Sequence, residues 1–286
     1  MSSTTRARVD ARLGGDGYAI DTTLFGGMGD VWLLSRQDPP KDPRFEARVA
    51  VKTFHIDISE KLVVNELTNW LGLCHPRITP LLAIDYLNWH LAAVMPRMDG
   101  SLYEVITKKS FEPTVAMGIV RDILFALEFA LGELGIYHLD IKPQNILWLN
   151  SPTNVKVADW GISRLASARA TTAGMGNASA TFTSAAGTPG YMGPERFDPE
   201  WPITAASDLY SLGLVASELV VGAFVTDLIR KHGFNEHGLT ALNSAAAKVA
   251  NQIGGSLGDF IAQCTALDPR QRPASFTDAL RLLADR

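Results

Sequence analysis

The chain has 286 residues, 47% of them apolar and 20% charged, with a formal net charge of −4. That composition excludes a disordered or fibrous polymer and gives no basis for nucleic-acid binding; it predicts one two-lobed domain or two small ones. Two cysteines without metal-type spacing, Cys74 and Cys264, and no apolar leader after Met1 predict a reducing, cytoplasmic setting with no disulfide framework.

Residues 1–16 are small and polar and predict a flexible tail ahead of a domain at 17–286. Tyr18 to Leu34 predicts two strands around a turn that holds Gly26, Gly27 and Gly29. Glycine there would let backbone N–H groups approach a phosphate, although an ordinary hairpin turn uses the same residues. Arg48–Phe54 predicts a strand with Lys52 among apolar neighbours, either guarding a sheet edge or buried beside a partner. A helix is predicted over Ser59–Leu73, with Leu62, Val63, Leu67, Trp70 and Leu71 at helical spacing. Glu66 sits beside that stripe and could reach Lys52, or simply face water. Strands are predicted over Ile78–Ile84 and Trp89–Met95. Pro96–Ser101 then breaks the pattern as a hinge would, giving an N-lobe over 17–95, a hinge over 96–100 and a C-lobe over 101–286.

Helices are predicted over Leu102–Thr107 and Thr114–Gly132. Next comes Tyr137-His-Leu-Asp-Ile-Lys-Pro-Gln-Asn-Ile-Leu147, which sets an acid, a lysine and a carboxamide (Asp140, Lys142, Asn145) between apolar flanks. A loop pinned in that way can hold a base and a metal ligand above a core; a charged surface turn is the plainer possibility. A strand is predicted to end at Asp159. Residues 162–186 are rich in Ser, Thr, Ala and Gly and predict a mobile loop, closed by Gly187–Glu195. Helices are predicted over Ser207–Val221, Leu239–Gln252, Leu257–Leu267 and Ser275–Ala284. The most apolar segment, Leu209–Val225, carries Ser211, Ser217 and Glu218, which favours a buried core helix over a membrane span. No membrane segment is expected.

In their order and separation these motifs resemble the signature set of Hanks-type serine/threonine protein kinases, over about residues 18–284. The resemblance implies an α+β, bilobal protein-kinase-like fold. Its N-lobe would be a small antiparallel sheet with one main helix, and its C-lobe larger and mostly helical. It implies transfer of the γ-phosphate of ATP to Ser and Thr hydroxyls of protein substrates, with Mg²⁺ or Mn²⁺, and autophosphorylation. Asp140 matches the catalytic base and Lys142 the residue that steadies the γ-phosphate. Lys52 matches the lysine on the α- and β-phosphates, and Glu66 its ion-pair partner. Gly26, Gly29 and Val31 match the phosphate-covering loop. Val31, Ala50 and Leu147 match the apolar walls around adenine, Met95 the gatekeeper, and Pro96 to Met98 the hinge. Asn145 and Asp159 match the metal ligands, both hard oxygen donors. Thr188 and Tyr191 match the substrate-docking segment; Glu195 and Arg272 match a structural salt bridge, and Asp208 a cap on the catalytic loop.

Five departures stand out. Leu24 replaces the first glycine of the phosphate loop, Asp159-Trp160-Gly161 replaces Asp-Phe-Gly, and Gly193-Pro194-Glu195 replaces Ala-Pro-Glu. Trp160 is expected in an aromatic spine with His138 and Trp70. Pro96 removes one hinge N–H. Leu139 stands where most of the family has the arginine that anchors a phosphorylated loop, with Arg164 at a secondary anchor position. One alternative remains at this stage, a pseudokinase acting as an ATP-binding scaffold; a small-molecule phosphotransferase of related fold carries a similar loop, but Gly187–Glu195, Asp208 and Arg272 match the protein-kinase version and argue against it. Glu218 matches a position that meets a basic substrate residue in some kinases, and a buried structural glutamate fits as well.

Overall fold

The structure, a computed structural model, describes residues 17–25, 29–37, 47–54, 60–87, 90–160, 164–165, 188, 190–198 and 201–284. They divide into two compact units. One is the chain up to His75 together with Thr79–Met98; the other is Pro76–Ile78 together with the chain from Asp99 onward.

The first unit is a five-stranded antiparallel sheet. Its strands are β1 (Ala19–Phe25), β2 (Gly29–Ser35), β3 (Arg48–Phe54), β4 (Ala83–Leu87) and β5 (His90–Pro96), in the spatial order β1-β2-β3-β5-β4. The β-branched Val49, Val51 and Thr53 suit the middle of a sheet, and β3 lies there, paired on both sides. That position excludes the edge-guard expectation for Lys52. Because side chains alternate, register sorts these strands into two faces. Trp32, Val51 and Val94 share one face with Leu34 and Val49, and with Tyr18 and Ala92 they form a buried core. Leu24, Val31, Ala50, Lys52, Ala93 and Met95 fall on the other face. Helix α1 (Glu60–Leu71) buries Val63, Leu67 and Trp70, and the Trp70 indole N–H donates to the Thr79 carbonyl at 2.7 Å.

One strand expectation is corrected, that for Ile78–Ile84. Ile78 makes only an isolated bridge to Val157, and the strand begins at Ala83. The arginine after His75-Pro76 explains the difference: Arg77 turns into the second unit, bonding Asp122 at 2.9 Å and Asn154 at 3.1 Å.

The second unit opens with β6 (Gly100–Ser101), α2 (Leu102–Ile106) and the long α3 (Pro113–Leu134). Helix α3 starts on a proline that has no N–H to satisfy and stops at Gly135, whose φ of 64° a side chain would resist. Two small sheets follow. β7 (Ile136–Tyr137) pairs with β10 (Arg164–Leu165), and β8 (Ile146–Leu149) lies between β6 and β9 (Ser151–Val157). The remaining helices are α4 (Ala205–Val221), α5 (Val225–His232), α6 (Glu236–Ile253), α7 (Gly255–Cys264) and α8 (Phe276–Leu282).

Helix α4 is the core of this unit: every residue from Ala205 to Leu219 is buried. Thr204 caps its start by accepting from the Ala206 N–H. The helix ends at Val221, where it was expected to end, with Gly222 at its C-terminus; Val225, the last residue of the apolar segment, opens α5, a helix its polar sequence did not announce. Among the described residues no single helix is long and apolar enough to cross a membrane.

Candidate active site

The site grows from a backbone constraint. Between β7 and β8 the chain must hold a polar loop above the apolar helix α4, and the buried carboxylate of Asp208 on that helix supplies the anchor. Its Oδ2 accepts the His138 N–H at 2.8 Å and its Oδ1 the Leu139 N–H at 2.7 Å. Burial pushes the Asp208 carboxyl above the usual range, while the nearby His138, the two N–H groups and Arg196 oppose that rise. Leu139 takes a left-handed φ of 66°, which brings the next residue round. The His138 ring closes the turn: Nδ1 accepts the Asp140 N–H at 3.2 Å and Nε2 faces the Ala158 carbonyl at 3.0 Å, which fixes the tautomer.

Asp140, thus placed, is 5% exposed and each of its carboxylate oxygens takes two donors. Oδ1 accepts the Thr188 N–H and hydroxyl, both at 2.9 Å. Oδ2 lies 2.7 Å from Lys142 Nζ and 2.9 Å from Asn145 Nδ2. Lys142 also donates to the Thr188 hydroxyl, so lysine, threonine and aspartate form a closed triangle. Asn145 ends a 3-10 turn (Pro143–Asn145), and its Nδ2 also donates to the Asp140 carbonyl at 2.9 Å.

With both amide protons of Asn145 spent on Asp140, its Oδ1 is left as an acceptor. Its main-chain carbonyl takes the Ala158 N–H at 2.9 Å, which ties it to the strand end that carries Asp159. Asp159 adopts a φ of 64°. This pair of hard oxygen donors suits Mg²⁺ or Mn²⁺. Among the described residues no group of three or more His, Cys, Asp or Glu could hold a metal.

Other expected residues fall as follows. Trp160 is fully buried and stacks edge-on against His138, with ring centroids 4.6 Å apart; Trp70 is buried in the first unit. Lys52, Ala50 and Met95 are buried on one face of the sheet, and Lys52 Nζ lies 5.3 Å from the centre of the Phe54 ring. Leu24, on the same face, is half exposed. Met98 is buried at the end of the first unit, and Leu147 sits in β8 opposite Ser101. Gly29 has a reason of its own to be glycine: a Cβ there would fall 1.8 Å from the Thr53 carbonyl oxygen. Gly26, Gly161 and the side chains of Glu66 and Arg164 lie outside the described residues, and with them the Lys52–Glu66 pair.

Glu195 and Arg272 form a buried two-point ion pair at 2.9 and 3.0 Å, extended by the Ser207 hydroxyl and by carbonyls of Ala206, Ala266 and Leu267. Tyr191 corrects an expectation. It is 3% exposed and its hydroxyl donates to Glu218 at 2.6 Å, so its side chain offers no docking surface. Glu218 is equally committed, since its other oxygen accepts the N–H groups of Phe224 and Val225, both at 2.9 Å, at the start of α5. Burial and then the neighbouring Glu218 carboxylate raise the Tyr191 hydroxyl far above its ordinary value. Arg196 was missed from sequence. It is buried and donates to the Leu139 carbonyl at 3.0 Å; its one signal was a cation directly after Glu195 in a segment that had to be interior.

A family model described as the protein kinase domain matches residues 41–282. The chain belongs to that family. Its kinase relatives include mitogen-activated protein kinase kinase 5 of Leishmania mexicana, 31% identical over 82% of this chain and 44% of that protein. Wall-associated receptor kinase-like 14 of Arabidopsis thaliana is 31% identical over 77% of this chain and 30% of its own. Serine/threonine-protein kinase PknB of Mycobacterium tuberculosis is 31% identical over 72% of this chain and 33% of its own. The chain thus spans less than half the length of these relatives. Together they mark it as a Hanks-type kinase catalytic domain, with the sheet and helical parts that fold requires. Membership implies ATP as phosphoryl donor, a divalent metal and protein acceptors. The segment matched by the family model starts after β2, so that match does not draw on Leu24, Gly26, Gly29 or Val31.

Proposed function

We propose that this protein kinase domain transfers the γ-phosphate of Mg-ATP to serine and threonine hydroxyls of proteins, its own included. The domain would run from 17 to 286, with the N-lobe to about 95 and the C-lobe from about 101. A cytoplasmic setting is consistent with two free thiols, Cys74 and Cys264.

The observation that carries the reading is the triangle of Asp140, Lys142 and Thr188. Phosphoryl transfer asks a protein for alignment and charge neutralisation more than for covalent chemistry. Asp140 is the base that orients the acceptor hydroxyl and takes its proton. Lys142 bridges that carboxylate and would meet negative charge arriving at the acceptor. Thr188 fixes both, through its N–H and its hydroxyl. Asn145 Oδ1 and Asp159 would hold the metal ion, which when bound neutralises the phosphates; Lys52 and Glu66 would set the α- and β-phosphates. Val31, Ala50, Met95, Met98 and Leu147 would receive the adenine. The autophosphorylation proposal is supported by composition, since residues 162–186 are rich in Ser and Thr.

The test is radiolabel transfer from γ-labelled ATP to a generic protein acceptor, followed by phosphoamino-acid analysis. Wild type should yield phosphoserine and phosphothreonine, and Asp140→Ala should lose transfer by about three orders of magnitude while still binding ATP. Equal inertness of the two proteins would establish a scaffold instead, and phosphotyrosine as the main product would overturn the Ser/Thr assignment.

A further inference from the structure

The peptide unit joining Leu139 to Asp140 is gripped on both edges. Its N–H donates to His138 Nδ1 at 3.2 Å, and its carbonyl accepts from Arg196 Nη1 at 3.0 Å. In the peptide before it, the Leu139 N–H donates to Asp208 Oδ1 at 2.7 Å. Leu139 sits at φ 66°, a backbone state that a leucine keeps only when its surroundings impose it. The 139–140 peptide plane fixes the Asp140 N–Cα bond, the axis about which that residue's side chain is turned.

Arg196 comes from a different part of the chain, the 3-10 turn Pro194–Phe197, and is 3% exposed. A guanidinium is always charged, and burying one is tolerated only where partners repay its lost hydration. One such partner is the Leu139 carbonyl, and the buried Asp208 carboxylate lies close enough to feel its charge. In the family resembled, the residue before the base is a cation; here that residue is leucine, 2% exposed. Besides Lys142, the cation that meets this loop is Arg196, which reaches the Leu139 carbonyl from the 3-10 turn.

We propose that Arg196 is a positioning residue for Asp140: by gripping the Leu139 carbonyl it sets the peptide plane from which the catalytic carboxylate is aimed. It acts through the backbone and touches no substrate. The proposal rests on Asp140 being the base, so its test carries a readout that needs no turnover.

Two variants are compared with wild type, Arg196→Met, which keeps the length and loses the charge, and Arg196→Lys, which keeps the charge and loses the fork. kcat is measured per folded molecule, counted by a tight ATP-site ligand, beside KM for ATP and amide hydrogen exchange over residues 137–141. Arg196→Met should lower kcat about a hundredfold, the scale of a misplaced catalytic group, with KM for ATP within about twofold. Exchange over 137–141 should quicken by about tenfold or more, and Arg196→Lys should recover part of both effects. A merely structural arginine would lower the melting temperature and leave kcat per folded molecule within about threefold of wild type; that result overturns the proposal. If Arg196→Met does not fold, Arg196→Lys decides alone: kcat down about tenfold with faster local exchange supports it, and wild-type values for both overturn it. If wild type transfers no phosphate, the assignment of Asp140 fails, while exchange over 137–141 still reports whether Arg196 holds the peptide.

Discussion

Asp140 is surrounded by more donors than a solvent-facing aspartate could gather: a lysine, a carboxamide, a hydroxyl and a backbone N–H. Each fixes a different freedom. Lys142 and Asn145 lie close in sequence and hold Oδ2. Thr188 comes from far along the chain and holds Oδ1, so it is the element that reports whether the segment around it has docked. Its hydroxyl can be removed without removing its N–H, which makes it the cleanest probe of the triangle. Thr188→Ala should lower kcat about ten- to a hundredfold, the worth of a hydrogen bond to a charged group, and leave KM for ATP unchanged. Thr188→Ser should restore most of it. Steady-state kinetics with a peptide acceptor checks this, and an alanine variant at wild-type kcat would remove Thr188 from the site. At Gly193, where the family has alanine, a Cβ would lie 2.5 Å from a Glu195 carboxylate oxygen, so that side chain would have to shift. Arg196 escaped sequence reading because its meaning depends on a carbonyl 57 positions away, which no local pattern encodes.

Elements show what was legible and what was not. The strand Arg48–Phe54 could be bounded from sequence because β-branched residues and an abrupt loss of polarity mark it at both ends. Helices α3 and α4 were visible through long apolar stripes. Helix α5 was not, because seven of its eight residues are outside the buried core and its position is set by Glu218 capping its first N–H groups. The same two contacts explain why Glu218 could not be assigned from position alone. Its role turns on whether the carboxylate is free, and here it is 1% exposed and bonded to Tyr191 and to the start of α5. Local chemistry also governs the turn between α7 and α8. Asp268 accepts the Arg270 N–H at 2.9 Å and pairs with the Arg270 guanidinium, and the side-chain bond to Arg270 foremost, then that N–H, holds its carboxyl at about 2. A depressed carboxylate pKa contributes stability that is present above the ordinary aspartate value and lost as pH falls through about 2. A carbon-detected NMR titration should place the Asp268 midpoint near 2, and Arg270→Ala should return it toward the ordinary range. An Asp268 midpoint in that ordinary range in wild type would show that the pair does not persist in solution.

At the scale of the whole molecule the question is what holds the catalytic segment when no phosphate does. A phosphorylated loop works by pairing new negative charge with arginines near the catalytic loop. Here the position before the base is Leu139, buried and uncharged, and Arg196 is buried and already spends a donor on the Leu139 carbonyl. The far end of the segment meanwhile reaches Asp140 directly through Thr188, a contact that requires no modification. Below both, Asp208 holds the loop backbone, and the Glu195–Arg272 pair fixes the turn that carries Arg196. Each of these anchors is encoded in the chain itself. Activity should therefore survive removal of the threonines a kinase would modify. With Thr171, Thr172, Thr181 and Thr183, which lie outside the described residues, changed together to alanine, peptide phosphorylation should stay within about threefold of wild type. Phosphatase-treated wild type should match it. If the quadruple variant binds ATP and melts like wild type yet transfers no phosphate, an added charge is required after all, and the internal anchors around Leu139 are not sufficient to align Asp140.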